Sequence, residues 1–167
     1  MIPKPALPKR LPSRLFEAAR RNKLEFLLEI IPSKVGAADD MTVATLIHQF
    51  YVAGIYPDCW KLEPMKTHTG WANAIAAIEA HDMHTRGIVV LGLDAPEAEL
   101  SASFEIAAGF DLVKGFAVGR TIFSDVARRW FIGNVPDQVA VDDMATRYAR
   151  LCRVWDASCE KVREQAA

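Results

Sequence analysis

Three cysteines in 167 residues are too few, and odd in number, for a disulfide framework. Cys59, Cys152 and Cys159 instead fit a reducing cytoplasm, the expected location. No apolar run approaches the roughly 20 residues that span a bilayer, and the longest uncharged one, residues 87–93, is the length of a strand. The opening residues 1–12 have no apolar signal-peptide core. Neither sign of charge dominates: 20 basic side chains meet 21 acidic ones, for a net charge of -1. The chain therefore lacks the field of a nucleic-acid binder. Low-complexity tracts and internal repeats are absent, and so is a G-x-S-x-G elbow. His81 and His84, beside Asp82, fall where a helix is expected to end, without a supporting Cys/His cluster, so no metal and no cofactor is expected.

What is present is the make-up of a globular domain, 51% hydrophobic and 25% charged. Its length suits one domain with a sizeable core. Charge is uneven along the chain. Residues 1–23 hold seven lysines and arginines against Glu17 alone, net +6, leaving -7 for the rest. Pro3, Pro5, Pro8 and Pro12 would break a transit-peptide helix there. Residues 1–12 are thus expected to be a flexible leader, and 13–167 the domain.

Ser13 can cap a short helix over about 14–22. Four strand-like segments follow, at 24–31, 58–63, 87–92 and 111–118. The third, Gly87-Ile88-Val89-Val90-Leu91-Gly92, is nearly all apolar, as expected of a parallel strand covered on both faces. Between the strands, apolar residues recur at helical spacing. Val43, Leu46, Ile47 and Phe50 form one stripe, opened by Asp39 or Asp40 and closed by Gly54. Trp71, Ala74, Ile75 and Ile78 form the next, then Leu100, Phe104 and Ala107, then Phe123, Val126, Ala127, Trp130 and Phe131. A last long helix from about Asp137 carries Val141, Met144, Tyr148, Leu151, Trp155, Cys159 and Val162. Strand–helix repeated four times predicts an α/β fold of parallel strands with right-handed crossovers. The strands begin about 29 residues apart, and eight such units would need about 230 residues, near the ~250 of a (β/α)8 barrel. The chain has room for half of one.

In such folds sites lie at the carboxyl ends of the strands. Lys61 interrupts an apolar strand there. A lysine kept from water loses charge stabilisation and can attack a carbonyl as a neutral amine; alternatively it snorkels to solvent. Glu29 ends the first strand and can move protons for it, or simply sit exposed. Glu63 shares the face of Lys61 by alternation, and either pairs with it or points to solvent. Lys114 is a reserve nucleophile whose alternation with Gly115 turns it toward the outer helices. Residues 115–121, Gly-Phe-Ala-Val-Gly-Arg-Thr, join a strand to a helix. Their glycines let backbone N–H groups approach an anion, the helix start adds partial positive charge, and Arg120 can grip a phosphate. The spacing is neither a Walker A loop nor G-x-G-x-x-G. A tight turn without ligand would use the same residues. Cys152 and Cys159 read as core of the last helix.

Four segments together resemble one family: residues 27–32 (LLEIIP), 57–64 (PDCWKLEP), 86–96 (RGIVVLGLDAP) and 112–123 (LVKGFAVGRTIF). They are similar to the domain fused to the carboxyl end of bacterial 5-dehydro-2-deoxygluconokinase, an enzyme of myo-inositol catabolism. That domain is itself similar to class I tagatose-bisphosphate aldolases, which are TIM barrels. The resemblance covers about residues 13–160 and implies the C-terminal half of a TIM barrel: barrel strands five to eight, plus a long C-terminal helix. It implies Lys61 as the Schiff-base lysine, Glu29 as the acid/base, and Gly92, Gly115, Gly119 and Arg120 as the phosphate cup. Asp94 stands where those aldolases have small neutral residues near phosphate, so its carboxylate would have to bind a hydroxyl or a cation. The kinase activity belongs to the ribokinase-like half of the fused enzyme, and no such motif occurs here.

Three readings follow. The chain is half of a Schiff-base lyase for a phosphorylated keto-sugar acid, or a non-catalytic sugar-phosphate-binding module, or a truncated inactive remnant. The expected partners are a phosphorylated sugar or keto-acid and either a second copy or a complementary half-barrel chain, with no nucleic acid and no membrane.

Overall fold

The computed structural model describes residues 10–93 and 95–166. Residues 1–9 of the expected 1–12 leader, Asp94 and Ala167 lie outside the described residues, and residues 10–12 of that leader belong to the first helix. Four strands alternate with helices: β1 (Leu27–Ile30), β2 (Cys59–Leu62), β3 (Ile88–Leu91) and β4 (Val113–Ala117). Helix α1 (Arg10–Arg21) precedes β1, and α2 (Thr42–Val52), α3 (His68–Glu79) and α4 (Glu97–Ala107) link the strands. After β4 come α5 (Arg120–Phe131) and the 30-residue α6 (Asp137–Ala166). The strands pair in parallel, in the order β1-β2-β3-β4. Crossovers between parallel strands are right-handed as a rule, and with each one returning the chain to the next position along, the linking helices gather on one face. This is the arrangement of half a (β/α)8 barrel.

The core confirms that one-sidedness. Ile30, Trp60, Leu62, Ile88, Val90 and Val113 point toward the helices and join the buried cluster. They meet Ile47 and Phe50 of α2, Trp71, Ala74 and Ile78 of α3, and Leu100, Phe104 and Ala107 of α4 within that cluster. Those helical stripes are as the spacing predicts. Leu27, Glu29, Cys59, Lys61, Val89, Leu91 and Ala117 alternate onto the opposite face, and none belongs to the cluster. The buried Trp60 indole N–H donates to the Tyr51 hydroxyl at 3.0 Å. Burial pushes the Tyr51 phenol up to about 12, with the Trp60 bond opposing.

Several local expectations change. Helix α1 starts at Arg10, so Ser13 lies inside its first turn, and Pro12 occupies a place where a missing N–H costs nothing. Its anchor is Arg20, which donates to both Asp58 oxygens, at 2.9 and 3.1 Å, and to the Tyr56 carbonyl. Helix α2 is preceded by a turn in which Asp39 accepts from the Thr42 hydroxyl and the Met41 N–H, and Met41 is the cap. Gly54 ends α2 as expected, in the left-handed conformation at φ 77°. On α5 only Ile122 and Val126 are buried, and Phe123, Trp130 and Phe131 are exposed. On α6, Ala140 and Leu151 are buried while Val141 and Tyr148 are exposed. No helix among the described residues is long and apolar enough to cross a membrane.

Candidate functional site

The carboxyl ends of the strands carry a concavity of about 270 Å³, lined by Glu29, Lys34, Lys61, Gly92, Gly119 and Arg120 together with Ile31, Leu91, Leu93 and Phe123. Glu29 and Lys61 are ladder partners on adjacent strands, one residue from the end of each. Alternation turns both side chains to the face away from the helices. There the Lys61 Nζ lies 3.0 Å from Glu29 Oε1, with the lysine side chain 25% and the glutamate 40% exposed. Proton exchange between them needs no rearrangement, because the two groups are already at hydrogen-bond distance.

The rim is made by the β3–α4 and β4–α5 loops. A Cβ on Gly92 would stand 2.8 Å from Val118 Cγ1, so glycine there lets the two loops pack closely. Thr121 ties them further by donating to the Ala95 carbonyl at 3.2 Å. Leu93 holds a left-handed backbone at φ 49°, unusual for a residue with a branched side chain. Gly119 is the cap of α5, whose first turn has no acidic residue and whose cap forms no side-chain hydrogen bond. Such a helix start favours an anion. Across the described lining, Lys34, Lys61 and Arg120 outnumber the single carboxylate of Glu29.

The structure thus brings together Glu29, Lys61, Gly92, Gly119 and Arg120. Gly115 is elsewhere: it sits within β4, opposite Val89, and does not line the concavity. Only Val118 and Gly119 separate that strand from α5. Asp94 lies outside the described residues. Lys114 is the extra residue of a bulge, since Ile88 and Val89 pair with Val113 and Gly115. Its ammonium donates to the Asp111 carbonyl at 2.6 Å, near the amino end of the strand and away from the concavity. Cys59 shares the face of Lys61, and burial raises its thiol pKa, with Arg86 opposing.

Other groups have local partners. Glu63 is buried beyond the end of β2 and neither pairs with Lys61 nor reaches solvent. It accepts from the Ser33 N–H at 3.0 Å and the Ser33 hydroxyl at 2.7 Å, which pins the short 3-10 turn Pro32–Lys34. That turn delivers Lys34 to the rim. Sequence reasoning missed Lys34, although its place just after β1 satisfies the strand-end rule. His81 meets His48, ring nitrogens 2.9 Å apart, and stacks on Tyr51. No group of three or more His, Cys, Asp or Glu that could hold a metal occurs among the described residues. All three cysteines are free thiols.

Fold and site together define an α/β protein of four βα units with a cation-rich concavity at the carboxyl ends of its strands. The chain belongs to the DUF2090 family, described as an uncharacterized protein conserved in bacteria, whose model matches residues 9–159. No curated protein matches it.

Proposed function

We propose that this chain is half of a class I aldolase-like domain that binds a phosphorylated keto-sugar acid and processes it through a Schiff base on Lys61, in a reducing cytoplasm. The observation that carries the reading is the Lys61–Glu29 pair, 3.0 Å apart in the same concavity as Arg120 and Lys34. Its resemblance to the aldolase-like domain of the gluconokinase fusion protein supplies the link to myo-inositol catabolism.

In this mechanism Glu29 takes a proton from the Lys61 ammonium, and the freed amine adds to the substrate carbonyl. Glu29 returns the proton to the departing hydroxyl, so that water leaves and an iminium forms. The iminium accepts the electron pair of the Cα–Cβ bond as it breaks, giving an enamine, while a base removes the proton of the β-hydroxyl and the β-carbon leaves as a carbonyl compound. That proton is returned to the α-carbon of the enamine, and water hydrolyses the resulting iminium, releasing the second product and restoring Lys61. Arg120, with the start of α5, holds the phosphate, and Lys34 adds charge at the rim.

A titration with a phosphorylated ketose tests the anchor. Arg120→Ala is expected to cost about 1.5–3 kcal/mol, the range of a hydrogen bond to a charged group, or roughly 10- to 150-fold in Kd. Unchanged affinity would remove the phosphate assignment. A non-catalytic sugar-phosphate module would show the Arg120 effect without a reducible adduct on Lys61.

A further inference from the structure

We infer that the open face of the sheet is closed by a second copy of this chain, β4 of each protomer pairing in parallel with β1 of the other to form an eight-stranded barrel. This inference rests on the fold and not on the aldol chemistry. The first observation is the sheet itself. Parallel sheets are as a rule buried on both faces, and β3 reads Ile-Val-Val-Leu, apolar on both. Yet the large buried cluster lies on the helix side, and on the face holding Leu27, Cys59, Val89 and Leu91 only Leu91 is buried, while Leu27 is 48% exposed and Cys59 and Val89 are half-buried. An eight-stranded barrel has an interior just wide enough for side chains to fill.

The second observation is where the exposed apolar side chains lie. Leu11 and Leu15 of α1, with Leu24, are exposed just before β1; Phe123, Trp130 and Phe131 of α5 are exposed just after β4. The two outer strands each pair with a single neighbour among the described residues. Each edge therefore combines unpaired backbone groups with an apolar stripe. A twofold axis along the barrel axis carries each edge onto the opposite one while keeping all strands parallel, so the assembly closes at two protomers.

The third observation is area. The chain exposes 10573 Å², whereas a compact 18.5 kDa monomer exposes about 8,200 Å². Granting the first nine residues the full surface of an unfolded chain removes only about 1,450 Å². The remaining excess, about 900 Å², is above the roughly 800 Å² per partner of a standard interface. Closure also bears on the candidate site, because Lys61 and Glu29 lie on the face that the second copy covers.

Sedimentation equilibrium of the whole chain at micromolar concentration tests the inference. The expected mass is twice 18.5 kDa. Leu27→Glu and Phe131→Lys should each weaken association at least tenfold with unchanged far-ultraviolet circular dichroism, because these side chains are 48% and 78% exposed in one protomer. A cooperatively melting 18.5 kDa species, a dimer that neither substitution weakens, or an assembly larger than two would overturn it. So would a monomer that gains mass only with a separately expressed complementary half-barrel. A dimer that forms no adduct with borohydride would leave the inference standing and count against the Schiff base alone.

Discussion

Gly92→Ala is the sharpest test of how the site is held together. The new methyl carbon would meet Val118 Cγ1 at 2.8 Å and Cγ2 at 3.2 Å, with Thr121 Oγ1 at 3.4 Å. Carbon pairs are at rest at about 3.5–4.0 Å, so the first contact is too close by more than half an ångström. Val118 is β-branched and stiff about its first side-chain torsion, and Thr121 is held by the Ala95 carbonyl. Relief must therefore come from moving the β4–α5 loop, at the typical overpacking cost of about 1–3 kcal/mol. Alanine restricts the unfolded chain and returns about 0.4–1 kcal/mol. The net loss is about 1–2 kcal/mol, or a fall in Tm of roughly 2–8 °C for a chain of this size. Because the displaced loop carries Gly119 and Arg120, affinity for a sugar phosphate should fall with it. Thermal unfolding by circular dichroism, beside a ligand titration, reads both effects. A variant as stable as the parent would refute the packing argument. Lost affinity at unchanged stability would mean that glycine is kept for close approach of the ligand.

Two other predictions concern the scaffold. Burial acts to raise the Asp58 carboxyl, but the Phe26 N–H and the Arg20 guanidinium outweigh it and hold the group below its ordinary 3.8. Its stabilisation is therefore present above 3.8 and is lost as pH falls through the lower folded value. Amide exchange should show α1 loosening in that acid window, and Asp58→Asn should remove the dependence; an α1 insensitive to both would contradict the anchor. Glu63→Ala strips both acceptors from Ser33 and should cost roughly 1–3 kcal/mol in urea unfolding. Loss below about 0.5 kcal/mol would show that water replaces the carboxylate without penalty.

Much of the fold was legible because its signals are local. Leu100, Phe104 and Ala107 recur on one helical face, and the Gly87–Gly92 run reads as a strand without reference to anything distant. The strand-end rule picked out Glu29 and Lys61, and the ladder makes them partners. What stayed hidden depends on pairings far along the chain. Ser33 with Glu63 and Arg20 with Asp58 are 30 and 38 residues apart, and neither has a spacing that marks it. Gly115 misled because a glycine ahead of a helix has the same sequence signature in a loop as in a bulged strand. Phe123, Trp130 and Phe131 misled because helical periodicity identifies an apolar face but not the surface that covers it. On α5 these three side chains stay exposed among the described residues.

Reductive trapping tests the central claim most directly. The chain is incubated with a phosphorylated ketose or keto-acid, reduced with sodium borohydride, digested and mapped by mass spectrometry. The account predicts a secondary amine on the peptide containing Lys61, lost in Lys61→Met while the circular dichroism spectrum is kept. An adduct that persists in Lys61→Met, that maps to Lys114, or that never forms in a cooperatively folded dimer would contradict it.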